Sequence, residues 1–149
     1  MELTSQFSVF LVNKPGVLAQ VTRQIAMARI NVLAMTLADS SEHGVLRLVV
    51  DAPGRLREAL ARLNLPTTET EVLVVALANR SGALADLCQK LADAHINISY
   101  AYCTTGAQGG KTNGVFKVAD NKKAMKVLQE KGPKRRDAQA DLRRPAVLR

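Results

Sequence analysis

Two short stretches of the chain combine a side-chain amide with a glycine in a way that could hold a small anion. They are Asn13-Lys14-Pro15-Gly16 and Asn79-Arg80-Ser81-Gly82, and each precedes a run that reads as helix. Glycine lets a chain leave a strand and enter a helix through a tight turn, because no Cβ obstructs the backbone. The first N–H groups of such a helix have no carbonyl behind them, and the helix dipole turns its positive end outward. That combination suits a carboxylate. Asn13 and Asn79, three residues before each glycine, offer both a donor and an acceptor. A second pair, Asn31 and Asn97, follows the helices where the chain re-enters a strand. Asparagine is also a common turn and helix-end residue, so residue type alone leaves a structural reading open beside the binding one.

Other candidates for chemistry are weaker. Cys88 and Cys103 form no CxxC pair, and with His43 and His95 they make a poor metal set and a poor disulfide framework. His43, beside Glu42, reads as a solvated turn residue, and His95 as an exposed helix end. The stretch Gly106-Ala-Gln-Gly-Gly-Lys-Thr resembles the tail of a phosphate-binding loop, but the motif needs glycine where Thr105 stands. It also falls between two strands, so a hairpin loop is expected. No nucleophile–base set or paired carboxylates emerge, and neither an enzyme nor a metal or cofactor is expected.

The composition narrows the partners. The chain has 149 residues, 47% of them hydrophobic, enough for one ordinary domain or two very small ones packed together. No apolar run approaches the roughly 18 residues that a membrane span needs, and the first residues do not read as a signal peptide. A cytoplasmic protein is the expectation. The formal charge of +8 is concentrated at the end of the chain: residues 131–149 hold seven basic and two acidic side chains. The remainder is nearly balanced, so the basicity belongs to a tail. With 3% aromatic residues there are few stacking platforms, and nucleic acid is not the expected partner.

The elements that must position the two turns emerge from an internal repeat. Shifted by 66 residues, Val9–Val32 falls on Val75–Ile98 with ten of 24 positions identical and no gap, including both asparagines and the glycine. The segments 7–12 and 73–78 read as strands. Helices follow, with apolar stripes Leu18, Val21, Ile25, Ala28 and Leu84, Leu87, Cys88, Leu91, Ala94 at spacings of three and four. Pro15 and Ser81 stand where a helix start tolerates proline or seeks a cap. A second strand begins after Asn31 and Asn97. A third, 45–50 or 115–119, ends at Asp51 or Asp120, each a candidate helix N-cap. Helices over 55–63 and 122–130 come next. Residues 67–72 supply a fourth strand in the first copy.

The unit is therefore βαββαβ, and the fold class is α+β: two tandem ferredoxin-like modules with antiparallel sheets. We place the first at residues 1–71, the second at 72–132 and a basic tail at 133–149. The second copy lacks an obvious fourth strand. The strand is absent, or Pro145–Leu148 supplies it, or the tail is an atypical addition; exchange of edge strands between the modules is a further arrangement. Residues 9–12 and 72–77 are apolar at every position rather than alternately, so both sheet faces must be covered. The other repeat or a second subunit would cover them, and a two-fold homodimer is expected.

The pattern Phe7-x-Val-x-Leu-x-Asn-Lys-Pro-Gly-Val-Leu, followed by Ile30-Asn31-Val32, resembles an ACT domain. Val75-x-Leu-x-Asn-Arg-Ser-Gly-Ala-Leu with Ile96-Asn97-Ile98 resembles it as well. Together they cover roughly residues 3–131 and are similar to small stand-alone bacterial proteins made of two ACT domains. The resemblance implies a regulatory module that binds a free amino acid where two modules meet and controls a partner enzyme. It nominates Asn13, Lys14, Pro15, Gly16, Val17, Leu18 and Asn31 in the first copy. In the second it nominates Asn79, Ser81, Gly82, Ala83, Leu84 and Asn97, with Ser81 departing from the family's usual proline. The alternative is a protein-interaction subunit of a biosynthetic enzyme that senses no ligand.

Overall fold

The structure is a computed structural model that describes residues 1–39, 43–107 and 111–130. Its elements run β1 (Glu2–Val12), α1 (Val17–Met27), β2 (Val32–Asp39), β3 (His43–Val50), α2 (Pro53–Arg62), β4 (Thr67–Ala78), α3 (Ala83–Asp93), β5 (Ile98–Ala107), β6 (Lys111–Val118) and α4 (Asn121–Gln129). The six strands form one antiparallel sheet in the order β2-β3-β1-β4-β6-β5. His43 opens a strand instead of sitting in a turn, and it is exposed.

The centre of the sheet explains the missing strand. β1 begins at Glu2, five residues before its strongly apolar run, and pairs with β4 from Glu2↔Val74 to Val9↔Thr67. β4 crosses position 71/72 unbroken; its first half lies beside β1, and Leu73–Ala78 pairs with β6. Each central strand therefore serves both copies. Residues 67–72 are the fourth strand of the first unit, and Glu2–Thr4 occupy the corresponding place in the second. The exchange of edge strands holds. The Pro145–Leu148 alternative lies outside the described residues. The 66-residue shift carries Ser5 onto Glu71, and these two face each other in the ladder, so an approximate two-fold axis passes between them.

One face of the sheet is covered by the four helices. Phe7, Val9, Leu11, Leu46, Leu48 and Val50 meet Val21 and Ile25 of α1 and Leu56 and Leu60 of α2 in one core. Leu73, Leu77, Phe116 and Val118 meet Leu87, Leu91 and Ala124 in the other. Burying each such side chain contributes about 2 kcal/mol. Gly114 leaves room for the Phe116 ring, whose Cε2 would lie 2.6 Å from a Cβ there. Leu84 departs from the expected stripe and is 45% exposed.

The helix ends repeat from copy to copy. Arg29 and His95 have positive φ (53° and 55°), and the amides that follow them, on Ile30 and Ile96, reach back to Ile25 and Leu91. Those are Schellman closures. Arg55 of α2 donates to the Arg29 carbonyl at 3.2 Å, and Lys123 of α4 donates to the Ala94 carbonyl at 2.7 Å, placing cations at the negative helix ends. Asp120 caps α4 through Lys123 N–H at 2.9 Å. Asp51 does not cap α2, where Ala52 is the N-cap; its Oδ1 accepts from the Asn31 amide at 3.0 Å. Ser81 caps nothing either, because the N-cap of α3 is Gly82.

The second face is covered in part by the same chain. The sheet curls until β2 and β5, its two edges, approach each other. Inside the curl Ala34, Val49, Val72 and Val115 form a third cluster against Val74 and Tyr102. Gln6 is fully buried beside it: its Nε2 donates to Tyr100 Oη at 2.8 Å, and Tyr102 Oη donates to its Oε1 at 2.9 Å. The Arg47 guanidinium lies 4.4 Å from the Tyr100 ring centre. Burial raises the Tyr102 hydroxyl well above the usual phenol range.

Candidate functional site

The two Asn-x-x-Gly turns are built alike. Lys14 N–H donates to the Val12 carbonyl and Arg80 N–H to the Ala78 carbonyl, both at 2.9 Å. Gly16 and Gly82 follow at φ 86° and 84°, a region that side chains with a Cβ avoid. Each glycine carbonyl then accepts the first full helical turn, from Gln20 at 3.0 Å and Asp86 at 2.8 Å. A Cβ at Gly16 would meet nothing within 4 Å, so the requirement for glycine is conformational. Gly16→Ala should therefore destabilise the chain by about 1–2 kcal/mol, read as a lower urea midpoint; an unchanged midpoint would show that the turn tolerates a Cβ.

A small recess opens at the first turn. It has a volume of about 60 Å³ and is lined by Leu11, Val12, Asn13, Lys14, Val17, Leu18, Leu37 and Gly44. Asn13, Lys14, Val17 and Leu18 of the nominated set come together there. Gly16 instead lines a shallow depression on the other side of the turn, with Ala19, Gln20 and Arg23. Leu11, Val12, Leu37 and Gly44 were not nominated from the sequence. Leu11 and Val12 end β1 just before the turn, whereas Leu37 and Gly44 come from β2 and β3 and are legible there only once the register is fixed.

Asn31 and Asn97 lie elsewhere. Eleven residues of helix, about 16 Å, separate the turn at Asn13 from the helix end before Asn31. The Asn31 carbonyl accepts from Asp51 N–H at 3.1 Å, and the Asn97 carbonyl accepts from Ala119 N–H at 3.0 Å. Both residues tie the start of the second strand to the end of the third through their backbones, and their side chains are exposed. Within one copy the two asparagines of a motif do not meet.

Nor do the two turns face each other. β1 and β4 run antiparallel about the Ser5/Glu71 centre, so Asn13 and Asn79 lie at opposite ends of the ladder. Sixteen residues of strand at about 3.3 Å each set them on the order of 50 Å apart. The second turn also differs electrostatically. Arg80 folds over it, with Nη1 on the Ser81 carbonyl at 3.0 Å and Nη2 on Asp86 at 2.9 Å. Ala83, Leu84 and Ser81 border that ion-paired turn. In the first copy Lys14 and Gln20 stand at the matched positions, and no salt bridge forms there among the described residues.

The profile of the ACT domain pair matches residues 2–136. The chain belongs to that family. Protein BT0572 from Bacteroides thetaiotaomicron is similar at 31% identity and a TM-score of 0.78, over 85% of this chain and 86% of that one. The ligand-free regulatory subunit of aspartate kinase from Thermus thermophilus shares the ACT-pair fold at 13% identity and a TM-score of 0.63, over 86% and 95%. The corresponding subunit from Thermus flavus does so at 18% identity and 0.55, over 85% and 93%. None of the curated proteins is a sequence match. Among the described residues of this ACT pair, no three His, Cys, Asp or Glu side chains are grouped to hold a metal ion. No described helix is long and apolar enough to cross a membrane.

Proposed function

We propose that the chain is a regulatory protein that binds a free amino acid at the Asn13–Leu18 turn, in a pocket completed by a second copy of the chain. The observation that carries this is the recess itself. It joins apolar walls to an amide, a lysine with no ion pair among the described residues and a helix start suited to a carboxylate. At about 60 Å³ it is only part of a pocket, because small-molecule sites usually enclose some 300 Å³ or more. Two of its walls, Val12 and Leu37, are each 48% exposed, and Met35, on the same face of β2 as Leu37, extends the apolar rim. The second turn of the same chain is too distant to supply the missing wall, which favours a homodimer. Binding would then act by shifting the packing of the modules, or of a partner enzyme, toward the state with higher affinity.

A thermal-shift screen of the twenty amino acids, combined with light scattering, tests this reading. One or a few amino acids should raise Tm, and Asn13→Ala should weaken that ligand about tenfold, the loss of one hydrogen bond to a charged group. Asn79→Ala should matter less. No stabilisation by any amino acid would overturn the proposal. The ligand-independent alternative draws on the exposed apolar rim and on the Thermus relatives, which are regulatory subunits of an enzyme. Co-purification of a biosynthetic enzyme, indifferent to amino acids, would favour it.

A further inference from the structure

The approximate two-fold axis sets each place in one copy against its counterpart in the other. It carries the ladder pair Phe7↔Glu69 onto Leu73↔Leu3. The helices α2 and α4 align through Arg55 and Lys123, which reach the matched carbonyls of Ala28 and Ala94. Arg57 then corresponds to Met125, and Leu60 to Leu128. In the second copy Leu3, Met125 and Leu128 all pack against the core that contains Leu73. In the first copy a charged pair stands where Leu3 and Met125 do. Arg57 donates to the Glu69 carboxylate through Nε at 3.0 Å and through Nη2 at 2.7 Å.

A cavity of about 240 Å³ opens at this place, between α2 and the first half of β4. Phe7, Leu60, Ala61 and Leu65 supply its apolar wall, and Arg57, Thr67 and Glu69 its polar side. A cavity of roughly 150 Å³ with apolar walls accepts a benzene ring, so a branched aliphatic arm has room here. The lining holds one cation and one anion. Arg57 spends Nε and Nη2 on Glu69, and its Nη1 has no acceptor among the described residues. The guanidinium, centred 5.8 Å from the middle of the Phe7 ring, therefore keeps an N–H edge for a further carboxylate. Glu69 accepts from Arg57 and from the Ser5 hydroxyl, which leaves its carboxylate capacity for an ammonium group.

We propose that this cavity binds a small zwitterion with an apolar arm, its carboxylate at Arg57, its ammonium group at Glu69 and its arm against Phe7, Leu60 and Leu65. The four charges alternate in sign around one ring, so the Arg57–Glu69 pair need not break. The arm takes the kind of place that Leu3 and Met125 close in the second copy. The site is separate from the Asn13 recess, with which it shares no lining residue.

Titration of the full chain with L-leucine, followed through the Leu60, Ala61 and Leu65 methyl resonances, tests the assignment. Saturable shifts are expected. Isoamylamine, which lacks the carboxylate, 4-methylpentanoate, which lacks the ammonium group, and glycine, which lacks the arm, should each bind several-fold more weakly. Arg57→Gln and Glu69→Gln should each weaken leucine about two- to fivefold, as for an exposed ion pair. Arg57→Met combined with Glu69→Leu, which installs the second copy's residues, should abolish the shifts. The single glutamine variants remain a test if that double variant does not fold. Absence of saturation, equal binding of the amine or the acid, or binding that neither glutamine variant weakens would overturn the proposal. Asn13→Ala should leave these shifts intact, so this site and the Asn13 site fail independently.

Discussion

Removing Glu2–Ser5 should destabilise the chain by about 4 kcal/mol, with the loss of protection concentrated in the second copy. These residues precede the apolar run of β1 and would pass for a dispensable terminus. In the structure they are the strand beside Val72–Val74, paired from Thr4↔Val72 to Glu2↔Val74. About four ladder hydrogen bonds would be lost at roughly 1 kcal/mol each net. Leu3, which packs against the second core, would remove further apolar burial. A domain of this size has only about 5–15 kcal/mol of stability in total. The bare flank of β4 would also become a template for association. Amide exchange resolves the effect by residue: Val72–Ala78 and β6 should lose protection before β2 and β3. A silent deletion, with removal of residues 133–149 causing that pattern instead, would reassign the fourth strand to the tail.

The second large effect concerns a residue that no sequence pattern marks. Gln6→Leu should cost about 2–3 kcal/mol although leucine is nearly isosteric and the site is fully buried. The substitution gains apolar burial but strands the hydroxyls of Tyr102 and Tyr100, which now share the Gln6 amide. Leaving a buried hydroxyl without a partner costs about 1–3 kcal/mol, and the half-buried Tyr102 bears most of it. The triple variant with Tyr100→Phe and Tyr102→Phe should recover most of the loss, because an apolar trio suits the neighbouring Val49, Val72 and Val115. Urea denaturation of the single, double and triple variants forms the thermodynamic cycle. If the triple variant is no more stable than Gln6→Leu, the amide is not what satisfies the tyrosines.

Much of this architecture was legible in one dimension. The turns at Gly16 and Gly82 were readable because a strand-to-helix turn at positive φ demands glycine locally. The helices were readable because a stripe at spacings of three and four needs only its own segment to be recognised. Asp120 was legible as a cap for the same reason, whereas the identical reasoning failed at Asp51. There the competing donor is the Asn31 amide, twenty residues away and adjacent only through the β2/β3 pairing. Asn31 and Asn97 show the limit for the site. Their recurrence signalled importance and the intervening helix already separated them from Asn13 and Asn79, but only the fold engages their carbonyls in strand ties.

The sequence by itself determined the duplication, the α+β class, the βαββαβ order and the two Asn-x-x-Gly turns. Each depends on contacts within about a dozen residues, where periodicity and backbone stereochemistry act directly. Tertiary structure alone decided that β1 and β4 are shared between the copies, and that the sheet curls its second face around Gln6. It also decided that the recess at Asn13 is walled by Leu37 and Gly44. Those outcomes turn on which of several apolar strands pair across 66 residues of chain. Because backbone hydrogen bonds are alike in every register, that choice falls to the fit and burial of the side chains brought together.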